Sequence, residues 1–114
     1  MADVKIPLVF FATEAGNEPV RDWLKELPEP DRRTVGRDLM RVQWRWPVGM
    51  PLCRHLGDGL WEVRSHLQSN RIARVIFCIY DGRIVPLHGF IKKTRKTPQG
   101  DLDLAATRQS ELDQ

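Results

Sequence analysis

"RIARVIFCIYDGRIVPLHGFI", residues 71–91, decides how this chain folds. Residues 71–80 are nearly all apolar, which predicts a central strand. Asp81–Gly82 is a strong two-residue hairpin signal. Residues 83–91 then return as the partner strand, with Pro86 removing one ladder donor and loosening the pairing locally. Just upstream, "LWEVRSHL" (60–67) alternates. Trp61, Val63, Ser65 and Leu67 fall on one side, and Glu62, Arg64 and His66 on the other. The stretch 60–91 therefore reads as three consecutive antiparallel strands.

Further upstream the period becomes helical. In "EPVRDWLKEL", Val20, Trp23, Leu24 and Leu27 follow the i, i+3, i+4, i+7 spacing, and Asn17 suits an N-cap. "PEP" at 28–30 breaks that helix, and Pro30 suits the first turn of a second one. Its stripe is Val35, Leu39, Val42 and Trp46, and Pro47 ends it. The two make an antiparallel helical hairpin. "VKIPLVFFA" (4–12) reads as a first strand, marked as edge or bulged by Pro7. Residues 47–59, rich in Pro and Gly, read as a loop. Pro98 opens a C-terminal helix in which Leu102, Ala105, Ala106 and Leu112 share one side. The predicted order is β-α-α-β-β-β-α: an α+β fold with a small antiparallel sheet, and residues 1–114 as a single domain.

Turn lengths predict the register. A two-residue turn at Asp81–Gly82 pairs Tyr80 with Arg83 and Val75 with His88. A two-residue turn at Ser69–Asn70 pairs Gln68 with Arg71 and Arg64 with Val75. Arg64, His66, His88, Phe90 and Lys92 then share one face. Trp61, Val63, Ile76, Leu87 and Ile91 share the other, expected to lie under the helices. Arg74 falls on that second face, near its edge; a one-residue bulge moves it across.

Composition narrows the function classes. At 114 residues and 41% hydrophobic, the chain supports one modest core. It contains no apolar run of the roughly 20 residues that a transmembrane helix needs. The short apolar N-terminal run reads as strand rather than signal peptide. Cys53 and Cys78 read as thiols of a reducing cytoplasm, with Cys78 inside the central strand. The net charge of +3 conceals an asymmetry: residues 60–97 hold eight Lys/Arg against two acids. Such polarisation suits a polyanionic partner.

Metal-independent RNA cleavage requires a base for the 2′-hydroxyl, positive charge for the phosphorane-like state and an acid for the leaving 5′-oxygen. Histidine exchanges protons near neutral pH, lysine does so when its pKa is lowered, and arginine clamps phosphate. Phe90 and Trp61 offer rings for stacking on an unpaired base. His55, His66, His88, Cys53 and Cys78 show no metal-ligand spacing. "LGDGLW" lacks the Lys-Ser/Thr of a phosphate-binding loop, and no G-x-S-x-G occurs. The sequence thus calls for no metal and no cofactor. Asp101, Asp103, Glu111 and Asp113 read as a solvated helix face.

"LWEVRS", followed by "RIARVIFCIYDGRIVPLHGFIKKTRKTPQGDLDLAATR", resembles the phage-derived, HigB-like branch of the RelE/ParE toxin superfamily. The likeness is close over residues 58–108. Pro86 departs from it, standing where an aliphatic residue is expected. The resemblance implies a type II toxin–antitoxin toxin that cleaves translated mRNA on the ribosome. It also implies a cognate antitoxin, often a helix-turn-helix protein, as partner. Carried over residue by residue, it implies a catalytic set of Arg64, Arg74, His88, Lys92 and Lys93. The basic, aromatic and histidine side chains themselves point to RNA binding by Arg71, Phe90, Arg95, Lys96 and His66. Two alternatives remain open: a DNA gyrase poison of the ParE kind, and a non-catalytic nucleic-acid-binding phage or regulatory protein. "HGFIKK" favours the mRNA endonuclease.

Overall fold

The computed structural model describes residues 4–92 and 96–112. Its elements are α1 (Pro19–Glu26), α2 (Glu29–Arg45), β1 (Cys53–Gly57), β2 (Leu60–His66), β3 (Ile72–Tyr80), β4 (Arg83–Lys92) and α3 (Gln99–Glu111), with a 3₁₀ turn at Gln68–Asn70. The strands form one antiparallel sheet in the order β1-β2-β3-β4. The α+β class therefore stands, with the order α-α-β-β-β-β-α. None of the described helices is long and apolar enough to cross a membrane.

Two segments differ from expectation. Residues 53–57, read as loop, form β1. Arg54 pairs with Glu62 and His55 with Trp61 across a turn whose Gly57, Asp58 and Gly59 all have positive φ. The run between Pro51 and Gly57 is too short for its alternation to register as a strand. Conversely, the segment read as a first strand is extended but forms a single parallel bridge, Leu8 to Ile84. Ile84 donates to the Pro7 carbonyl at 2.9 Å, and Val9 and Phe11 donate to the Ile84 and Pro86 carbonyls at 2.9 and 3.2 Å. Pro7 serves here as an acceptor, the one ladder role its backbone retains.

Both faces of the sheet are covered. Val20 of α1 and Val35, Leu39 and Val42 of α2 pack on Val63, Ala73, Val75, Phe77 and Ile84. Trp46, at the end of α2, meets Trp61 and Phe77 edge-on, with ring centroids 4.8 and 5.5 Å apart. On the opposite face, Ala105 and Leu102 of α3 pack on Leu60, Ile76, Cys78, Leu87 and Phe90. The expectation that Ile76 and Leu87 would share a face with Trp61, Val63 and Ile91 is corrected: they belong to the α3 side. Ala106, expected on the apolar side of α3, is exposed. Cys53 and Cys78 are buried in the two separate cores, and no bridge links them. Burial, reinforced by the charge of Asp38, raises the Cys53 thiol from its ordinary value near 9 to about 12.

Two details set the register. The β3–β4 turn at Asp81–Gly82 has positive φ at both residues and pairs Tyr80 with Arg83 as expected. A bulge follows: Phe77 pairs with Pro86 but Ile76 with His88, leaving Leu87 without a cross-strand partner. The β2–β3 connection is a three-residue turn, 68–70, closed by Leu67 donating to the Arg71 carbonyl at 2.9 Å. Arg64 therefore pairs with Arg74, not with Val75, and Arg74 pairs with Phe90. The longer turn thus puts Arg74 on the face of Arg64, and the β4 bulge brings His88 and Phe90 onto that same face.

Candidate active site

The shifted register lays a row of Arg64, Arg74 and Phe90 across three strands. Beside it runs a second row, Glu62, Ile76 and His88, with Arg54 continuing it onto β1. Side chains two apart on a strand share a face. Glu62, Arg64, Arg74, His88, Phe90 and Lys92 thus gather on one side, at the end of the sheet where α3 begins.

Two charges in this group have no exposed surface: Glu62 and Arg74. Buried charges persist only where other charges and hydrogen bonds answer them. Arg64 Nε donates to Glu62 Oε1 at 2.9 Å, and Thr97 Oγ donates to Oε2 at 2.6 Å. Burial is the largest influence on the Arg74 guanidinium and lowers its pKa. Glu62 counters that shift, Arg64 and Arg54 add to it, and Asp101 counters it again. Arg74 is thus the centre of a cluster drawn from β1, β2, β3 and α3. Its pKa is lowered from an ordinary value so high that it remains a cation.

At the other end of the row, His88 Nε2 lies 2.7 Å from Asp101 Oδ1, and Lys92 Nζ lies 3.6 Å from Asp101 Oδ2. Asp101 sits in the first turn of α3, where a carboxylate is favoured by the helix dipole. The His88 and Asp101 side chains are each nearly buried, whereas Lys92 is half exposed at 49%. The imidazole is therefore oriented by the carboxylate, and the lysine is presented outward. Arg108 of α3 donates to the Leu87 carbonyl at 2.7 Å, bonding the residue that the bulge leaves out of register.

The expected site residues divide into groups. Arg64, Arg74, His88 and Lys92 are brought together. Lys93 and Arg95 lie outside the described residues. Lys96 is exposed, immediately before the buried Thr97. His66 is exposed at the end of β2 and, with Arg64, Thr34, Asp38 and Arg41, lines a hollow of about 290 Å³. Phe90 is only 7% exposed and is packed in the α3-side core, with its ring stacked on His88 at 5.4 Å. That packing leaves little ring surface for a base. Arg71 is held away from the group. It makes paired hydrogen bonds of 2.9 and 3.0 Å to Asp31 of α2, which raise its pKa, and a third to the Gln68 carbonyl. It clamps the β2–β3 turn to the helical hairpin.

Sequence reasoning missed four participants. Arg54 was assigned to a loop. Glu62 was seen only as one of the polar alternates on its strand. Thr97 followed the cation run without a marked role. Asp101 was placed on a solvated face, whereas it is engaged by His88 and Lys92. The signal for Glu62 was available: an acid two residues before an arginine, on the same side of an alternating strand. Among the described residues no three His, Cys, Asp or Glu side chains gather in a way that could hold a metal ion.

No curated protein matches the chain. The family model described as "Phage derived protein Gp49-like (DUF891)" matches residues 22–110, from α1 through α3, and so includes every residue of this site. The match spans most of the chain and the α+β architecture is compatible with it: the chain belongs to the phage-derived Gp49-like family, which is RelE/ParE-like in general.

Proposed function

We propose that this protein is the toxin of a type II toxin–antitoxin module and cleaves mRNA on the ribosome in the cytoplasm, restrained by a cognate antitoxin. The observation that carries this reading is the meeting of Arg64, Arg74, His88 and Lys92 on one side of the sheet. Arg64 and Arg74 supply fixed positive charge where a phosphorane-like state would form, inside a group that excludes water and strengthens its field. Lys92 is exposed enough to reach a phosphate or a leaving oxygen. His88, oriented by Asp101, is the residue best suited to exchange a proton with the ribose. The reaction is attack of the 2′-oxygen on the adjacent phosphorus, with loss of the 2′-proton and protonation of the departing 5′-oxygen. Lys93, Arg95 and Lys96 extend positive charge beyond β4 for contact with RNA phosphates.

The test is induced expression of wild type beside Arg64→Ala, with growth and transcript integrity followed together. Growth arrest accompanied by cuts within coding regions, both abolished in Arg64→Ala, is the expected result. Arrest with intact message would contradict the reading, and a DNA-damage response in its place would point to gyrase.

A further inference from the structure

The hollow of about 290 Å³ beside β2 has no part in the chemistry described above, yet it touches the site. Asp38 and Arg41 of α2, Pro51 and Leu52, and Arg64 and His66 of β2 line it. Its size is just under the roughly 300–1,000 Å³ of clefts that take drug-sized ligands, so it suits a single ring system. Leu52 is buried, and Pro51 adds an apolar ring. Arg41 and His66 are exposed, and guanidinium and imidazole planes are surfaces on which unstacked bases lie. Against these stands one acid: Asp38 is only 9% exposed. Its Oδ1 accepts from Arg41 at 3.2 Å, and among the described residues its Oδ2 accepts no hydrogen bond. A carboxylate has about four acceptor positions, and leaving those of a buried one empty is costly. Asp38 therefore has acceptor capacity that the fold does not use. Arg64 joins the hollow to the site: it lines the hollow, and it donates to Glu62 at 2.9 Å in the charged cluster.

We propose that this hollow receives a guanine base of the RNA, next to the phosphate that Arg64 holds, with the Asp38 carboxylate accepting from its Watson–Crick edge. The proposal rests on the RNA reading of the site and adds to it a preference among RNA sequences. Guanine alone of the four bases presents two adjacent donors, N1–H and the N2 amino group, to a single carboxylate. Adenine and cytosine offer one amino group beside a ring acceptor, and uracil one N–H between two carbonyls. Each of these sets a lone pair against the carboxylate. The charge of Asp38 repels a phosphate, whereas Arg64 and Arg41 attract one, so the nucleotide is oriented with its base inward and its phosphate outward. Asp38 is then a specificity-determining residue.

The experiment uses the full chain and single-stranded RNA hexanucleotides, uridine throughout except for one central guanine, hypoxanthine or adenine. Affinities are read by fluorescence anisotropy, and amide NMR shifts place the binding on the protein. The wild type should bind the guanine oligonucleotide roughly tenfold more tightly than the hypoxanthine one, the scale of one hydrogen bond to a charged group. The adenine oligonucleotide should be weaker by at least as much. Guanine-dependent shifts should fall on residues 38–41, 51–52 and 64–66. Asp38→Asn keeps the side-chain shape but turns one acceptor into a donor, so its guanine-to-hypoxanthine ratio should fall to about one. Its melting temperature reports its fold. Equal binding of the oligonucleotides by the wild type, or no binding, would overturn the proposal and leave the cleavage reading to its own test. Guanine-dependent shifts confined to other elements would overturn it too, as would a wild-type ratio in folded Asp38→Asn. The wild-type ratio and the shifts decide the matter even where Asp38→Asn unfolds. Guanine-selective binding at this hollow, by a protein that leaves message intact on programmed ribosomes, would sustain the site and overturn the cleavage reading.

Discussion

Lys92 and Arg74 carry the same charge but answer to different physics. Lys92 is half exposed and its ion pair with Asp101 is 3.6 Å long, so its removal should hardly alter stability. Lys92→Ala is expected to lower RNA cleavage by about 10²–10³, the usual scale for removing a proton donor or a charge at the transition state. Its melting curve should match that of the wild type. Arg74 has no exposed surface and is surrounded by Glu62, Arg64, Arg54 and Asp101. Arg74→Leu should therefore lower activity and stability together, the latter by about 1–3 kcal/mol. Equal melting temperatures for the two variants would show that Arg74 is not built into the core as described. Cys53 provides a separate check through pH. Its thiol is raised to about 12 in the folded chain, against about 9 when unfolded. Above pH 9 the unfolded chain releases that proton and the folded chain retains it, so stability should fall as pH rises from about 9 to 12. The slope approaches ~1.4 kcal/mol per pH unit for this one group. Denaturant melts of Cys53→Ala should show a correspondingly flatter alkaline limb, and an unchanged limb would contradict the buried placement.

Among the elements, β4 is where the site is decided. Its bulge at Leu87 moves His88, Phe90 and Lys92 into line with Arg74, and Arg108 of α3 holds the carbonyl of the bulged residue. Arg108→Leu should destabilise the fold by about 1–3 kcal/mol and disturb the amide signals of residues 86–89 beyond its own helix. Signals confined to α3 would argue against a role in the bulge. Gly89 has a different task. A Cβ there would lie 2.5 Å from Cε3 of Trp23, so α1 can pack on β4 only over a residue without a side chain. Gly89→Ala should cost about 1–3 kcal/mol through this overpacking, as measured by denaturant titration.

Much at this scale was legible in the chain. The Asp81–Gly82 turn, the two amphipathic helices and strands β2, β3 and β4 follow from local pattern alone. The β2–β3 turn did not, because a Ser-Asn pair suits both two- and three-residue turns. That single residue changes the partner of Arg64 from Val75 to Arg74. The bulge was foreseen only as an alternative, because it is stabilised by Arg108, 21 residues away from Leu87. Asp101 was misread for the same kind of reason: its partners come from another element. Arg64, His88 and Lys92 were readable because a strand's alternation places them without help from tertiary contacts.

Over the whole molecule, charge is distributed unevenly. The net charge of +3 is the balance of a strongly basic stretch at 60–97 and an acidic remainder. Some of those cations are engaged within the fold: Arg71 is bound to Asp31, and Arg74 is buried. Lys92 and Lys96 of that stretch, and Arg54 on β1 outside it, are exposed and lengthen the basic face beyond Arg64 and the buried Arg74. This end of the sheet is met by Thr97, which donates to Glu62, and by Asp101 in the first turn of α3, which meets His88 and Lys92. A nucleic acid held there would meet Arg64, Lys92 and Lys96 over the charge of the buried Arg74.

The most direct measurement of the central claim uses purified protein, defined mRNA and ribosomes programmed with that mRNA, with the 5′ ends of the products mapped over time. The account predicts multiple-turnover cuts within the translated frame in the presence of ribosomes, far fewer on naked message, and near-complete loss in Arg64→Ala and, despite a native fold, in Lys92→Ala. Intact message on programmed ribosomes, from a folded wild type that binds RNA, would contradict it.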